Sequence, residues 1–201
     1  MATIEHRLTT DRAAQTRRPE PALTGAWLAM AAIVMVFAAL ISALFVRRGS
    51  GGDWRHLVLP PVMYVGAGIL LLSSLTLQTA RHGIAAYARG EKTRRDAPLA
   101  LLSATLLLGA AFLTVQYTAW QQLMWRGVGV AASPNASFFY VLTAAHALAL
   151  LGGMVALLVV GRRFLCGVPS LRRSSLDAVS HYWNFIVILW MGLLLLMWVV
   201  L

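Results

Sequence analysis

Five stretches of this chain are apolar over the length needed to cross a lipid bilayer: about 25–46, 57–79, 99–123, 137–160 and 181–201. A helix rises ~1.5 Å per residue, so ~20 apolar residues span the ~30 Å of hydrocarbon. The sequence therefore predicts an all-α integral membrane bundle. In lipid every backbone N–H and C=O must be paired within the segment, and these long unbroken runs lack the short alternating pattern of a β-barrel. The first run begins too far into the chain, and is too long, to be a cleaved signal peptide. Composition agrees: 59% of residues are hydrophobic and only 12% charged, too few to cover a water-soluble globule.

The basic residues set the expected direction. Arg7, Arg12, Arg17 and Arg18 precede the first run; Arg81, Arg89, Lys92, Arg94 and Arg95 follow the second; Arg162, Arg163, Arg172 and Arg173 follow the fourth. The opposite side has only Arg47, Arg48, Arg55 and Arg126. Cytoplasmic loops carry the excess of Lys and Arg. The expectation is an N-terminus in the cytoplasm and a C-terminus on the periplasmic side. It is accompanied by a flexible cytoplasmic tail over 1–24 and a single five-helix membrane domain over 25–201. The net charge of +10 is then a matter of topology, and no nucleic-acid partner is expected. Cys166, a lone cysteine, suggests neither an internal disulfide nor a zinc site.

Buried ionisable groups mark pumps, exchangers and channels. No Asp, Glu, Lys or Arg lies in the interior of a predicted span, which counts against an autonomous transporter. A bis-histidine haem needs two ligands at matched depth. His6 lies in the tail, His56, His82 and His181 near span ends, and only His146 deep, which counts against a b-type cytochrome. The mild polar set Ser73, Ser74, Gln116, Trp120, Thr143, His146, Trp183 and Asn184 suits hydrogen bonds between helices. Ala144, Ala147, Gly152 and Gly153 would let another backbone approach the fourth helix. Trp27, Trp54, Trp125, Trp183 and Trp198 fit the headgroup region, whereas Trp120 and Trp190 suit packing against a neighbour or a lipid tail.

The order of motifs carries more. The second helix opens Leu59-Pro60 and runs on to Ser73-Ser74-Leu75-Thr76; the third has Gly109-Ala110-Ala111-Phe112-Leu113 and Gln116. Then come Gly127, Phe138-Phe139-Tyr140, Leu142-Thr143-Ala144-Ala145-His146 and Gly152-Gly153. The fifth helix gives His181-Tyr182-Trp183-Asn184-Phe185 and Trp190. Over helices two to five this resembles subunit III of the haem–copper cytochrome c and quinol oxidases, in its five-helix bacterial form. Ala119 stands where that family usually has glutamate, Ala149 and Asn184 where it has histidine, and Val187 where it has aspartate.

The resemblance implies a divergent, non-redox accessory subunit in a bacterial inner membrane. No catalytic, cofactor-binding or metal-binding residue is expected in this chain. Haem and copper would belong to a partner catalytic subunit I, with subunit II alongside, in a complex that reduces oxygen. Bound phospholipid is implied too, with the eight polar and aromatic residues above as candidates for lipid or subunit contact. A subunit of a nitric oxide reductase-type relative is the nearest alternative.

Overall fold

The computed structural model describes residues 21–50, 52, 54, 57–88, 96–165 and 173–200. Most of the tail, Arg55, His56, residues 89–95, Cys166, Arg172 and Leu201 lie outside them. The described residues form five helices: α1 Pro21–Ser50, α2 Val62–Ala88, α3 Asp96–Trp125, α4 Pro134–Leu165 and α5 Arg173–Val200. All five are long and apolar enough to cross a membrane. Every predicted span has its helix, and no strand occurs among the described residues.

The helix ends depart from the apolar runs, each for a local reason. Residues 57–61 are not helical. Pro60 and Pro61 lack N–H groups and disfavour a helical residue before them, so α2 begins after them, on turns from Met63 N to Pro60 O and Tyr64 N to Pro61 O, both 3.1 Å. α3 ends where Gly127 adopts a φ of 77°, a left-handed conformation that costs glycine least. Gly127 N donates to Met124 O and Val128 N to Leu123 O, both 2.9 Å. This pair of bonds is a Schellman cap. α4 opens on Ser133, whose side-chain oxygen accepts from Ala136 N at 3.4 Å, with Pro134 at the first helical position.

α5 shows the largest departure: it starts eight residues before the expected 181. Hydropathy falls at the edge of the hydrocarbon, but backbone hydrogen bonding does not. The added turns carry Asp177, which accepts from Arg81 on α2, with Nε and Nη2 both 2.7 Å from Oδ1. Both side chains are about one-third exposed, so the ion pair contributes under ~1 kcal/mol and mainly fixes register. As a consequence His181 does not begin the helix but lies on an exposed face within it.

α2, α3, α4 and α5 form a ring in which each packs on its sequence neighbours and α5 closes against α2. α1 packs outside this ring, against α4 and α5. α2 and α3 form the closest pair, helped by two glycines. A Cβ at Gly66 would stand 3.3 Å from Phe112 and Val115, and one at Gly83 would stand 3.1 Å from Pro98. The centre is filled by Trp183, Trp190, Phe112 and Phe139, all fully buried.

Candidate functional site

Of the eight residues picked out by sequence, all of which lie inside the bundle, six form two seams. The first joins α2 to α5. Trp183 Nε1 donates to Ser73 Oγ at 3.0 Å, and Ser73 Oγ donates back to Leu70 O at 2.7 Å. One residue on, Ser74 Oγ donates to Asn184 Oδ1 at 2.7 Å. Thr76 and Thr105 extend this seam to α3, their hydroxyls 3.0 Å apart. The second seam joins α3 to α4: Trp120 Nε1 donates to Thr143 Oγ1 at 3.0 Å, which donates to Phe139 O at 2.7 Å. Such bonds between helices in a membrane are worth ~0.6 kcal/mol on average. Together they fix which helix faces meet.

Trp183 corrects an expectation. Its position near the start of the apolar run suggested a headgroup anchor, yet it is 0% exposed. Because α5 begins at Arg173, Trp183 sits ten residues in, ~15 Å along the helix axis. Trp27, Trp125 and Trp198 are strongly exposed, as interfacial anchors require. Trp54 is half-buried and donates from Nε1 to Val200 O at 3.2 Å, occupying one of the carbonyls a helix end leaves unpaired.

Gln116 and His146 are also buried but lie apart from the seams. His146 packs against Phe112 and Trp190, with ring centroids 5.6 Å and 4.7 Å away. Among the described residues no group of three His, Cys, Asp or Glu stands close enough to hold a metal ion.

The small residues of α4 act differently from the expectation. A Cβ on Gly153 would stand 3.0 Å from Tyr182 Cε1 and 3.4 Å from Trp183 Cε3, so aromatic side chains of α5 fill the space, not a neighbouring backbone. The tight glycines at 66 and 83 were not singled out by sequence, and Gly109 entered only within a motif, because a glycine inside an apolar run carries no sign of which neighbour it meets. At Gly109 a Cβ would stand 3.1 Å from Trp183.

A cleft among the described residues opens to the surface. It lies between α1, α4 and α5, has a volume of about 440 Å³ and is lined by Ala22, Ala26, Gly152, Ala156, Ala178 and Tyr182 among others. Its wall is almost wholly apolar; Tyr182 directs its hydroxyl inward, donating to Ala149 O at 2.8 Å. Arg162 and Arg163 follow Val159 and Val160 of the lining by one turn, and both are exposed. The cleft thus offers a greasy slot with cationic side chains near one end.

Comparison with known proteins accords with this architecture. The profile of the family described as cytochrome c oxidase subunit III matches residues 24–200. Cytochrome c oxidase subunit 3 of Corynebacterium diphtheriae is 32% identical over 193 residues, covering 90% of this chain and 89% of that protein. The cytochrome bo(3) ubiquinol oxidase subunit 3 of Pseudomonas aeruginosa is 28% identical, covering 83% of this chain and 78% of that one. A haem–copper oxidase subunit I+III of Aeropyrum pernix is 30% identical over 82% of this chain, which spans 21% of that longer protein.

Proposed function

This chain belongs to the cytochrome c oxidase subunit III family of the haem–copper oxidases, and on that premise we propose that it is the non-redox accessory subunit of a terminal oxidase, bracing the catalytic subunit and holding phospholipid beside it. As a member of that family with five apolar helices, it is a multi-pass bacterial membrane protein. The observation that carries the reading is the extent of the match, which takes in all five helices from residue 24 to 200.

Several features support the accessory role. The polar groups of the core are hydroxyls, amides, indole N–H groups and the His146 imidazole, and those of the two seams are spent on one another. A bundle fixed in this way offers a rigid apolar wall to a neighbouring membrane subunit. The Aeropyrum pernix relative, named as subunit I+III, favours subunit I as that neighbour; subunit II and the haem and copper centres would lie with it. The eight residues of the seams and core shape the lipid and subunit contacts from within, by setting the helix positions. The cleft between α1, α4 and α5 suits an acyl chain, with Arg162 and Arg163 placed for a lipid phosphate.

Deleting the gene for this chain tests the role. The expected result is an oxidase that keeps its haem absorbance, carries less bound phospholipid and denatures at lower temperature. Loss of the haem spectrum from correctly inserted catalytic subunit would count against a purely accessory part, and an unchanged complex would refute it. The proposed direction, tail inside, is checked by single cysteines at Thr93, between α2 and α3 in the chain, and Ser133. In intact cells a membrane-impermeant thiol reagent should label Ser133→Cys and spare Thr93→Cys; the opposite pattern would invert the topology.

A further inference from the structure

The bundle core contains a second polar group that the two seams do not absorb. Gln116 Nε2, both ring nitrogens of His146 and Trp190 Nε1 are buried without a hydrogen-bond partner among the described residues. His146 and Trp190 are 0% exposed and Gln116 3%. The three side chains come from three helices but stand at similar depth. Gln116 is nine residues from the end of α3, His146 twelve from the start of α4 and Trp190 ten from the end of α5. At ~1.5 Å per residue these are depths of ~14, ~18 and ~15 Å from one end of the bundle. Ring contacts confirm that two of them meet: His146 and Trp190 have centroids 4.7 Å apart. Phe112, one helical turn from Gln116, touches both, at 5.6 and 4.9 Å.

Unpaired buried polar atoms are rare in folded chains, and one water can serve three of these four: the indole N–H, the amide N–H and one imidazole nitrogen. We infer that the centre of the bundle binds a buried water molecule held between Gln116, His146 and Trp190. The donor and acceptor inventory fits. The Trp190 indole N–H and a Gln116 amide N–H are donors with nothing to donate to; a neutral imidazole has one N–H donor and one bare nitrogen acceptor. A water oxygen accepts from the indole and the amide, and one of its O–H groups donates to the bare nitrogen of His146. Buried waters with two to four such partners are a regular part of protein interiors. No side chain from a partner subunit can take this place, because the three residues are enclosed by the chain's own helices. The site is thus a closed hydration site, not a conduit.

The rival arrangement is a dry aromatic stack of Phe112, His146 and Trp190, with its nitrogens left unpaired. Two measurements on the full chain, purified with whatever subunits it carries, separate the two, and neither depends on the oxidase assignment. The first is an electron-microscopy map fine enough to show ordered water elsewhere in the complex. We expect density within ~2.7–3.2 Å of His146 and Gln116. The second is the denaturation temperature of His146→Phe, which keeps a ring against Phe112 and Trp190 but removes both nitrogens. It should fall by about 2–4 °C or more, and His146→Gln, which restores an acceptor, should recover part of the loss. A map that shows other buried waters and none here overturns the inference. So does a His146→Phe chain as stable as its parent, the result a dry stack would give.

Discussion

Replacing Trp183 with alanine is expected to lower the stability of the bundle by ~3–5 kcal/mol. The indole is fully buried and lies over two glycines: Gly109 of α3 and Gly153 of α4 would each bring a Cβ within 3.4 Å of it. Removing it leaves a cavity where α3, α4 and α5 converge, and those close-packed backbones cannot collapse to fill it. The hydrogen bond to Ser73 is the smaller part. Trp183→Phe keeps most of the ring and loses only the N–H, while Ser73 retains its bond to Leu70 O, so a loss of ~1 kcal/mol is expected. Thermal denaturation of the purified complex, followed by release of this subunit, checks both. Equal losses for alanine and phenylalanine would show that the hydrogen bond, not the packing, governs the site.

Gly153→Leu should be nearly as damaging for the opposite reason. Its Cβ would come within 3.0 Å of the Tyr182 ring and 3.4 Å of Trp183, and the rest of the side chain has no room. Overpacking of this kind costs ~1–3 kcal/mol, and here it also threatens the Tyr182 bond to Ala149 O. Gly153→Ala needs only a shift of a few tenths of an ångström and gains helix propensity of up to ~1 kcal/mol, so it should come close to neutral. Gly161, on the same helix, has nothing within 4 Å of its Cβ position; Gly161→Leu should leave stability unchanged or raised. The same denaturation measurement ranks the three. A Gly161→Leu loss equal to that of Gly153→Leu would mean that helix-wide effects outweigh the local contact.

The five crossings were legible in the sequence because bilayer thickness imposes a minimum apolar length, and nothing else in a chain this size produces five such runs. Helix ends were less legible. α5 continues past its apolar run on backbone bonds and the Arg81–Asp177 contact, neither of which leaves a hydropathy signal. Those hidden two turns moved Trp183 from an apparent interfacial position to the core. The polar residues were identifiable as interhelical groups, yet their pairing was not: Ser73 with Trp183, and Ser74 with Asn184, are each 110 positions apart. Which helices face each other is set by side-chain fit around Gly66, Gly83, Gly109 and Gly153, and fit is a property of pairs. The order of short motifs across helices two to five pointed to the family, because it samples several of these pairs at once.

Membership of an oxidase complex, as a subunit without redox centres, is tested by tagging the C-terminus, extracting the protein in mild detergent, and recording an optical spectrum together with the identity of every co-purifying chain. The expected result is haem absorbance accompanied by a large multi-span catalytic subunit. A colourless protein that purifies alone, from membranes whose oxidase stays intact, would contradict it.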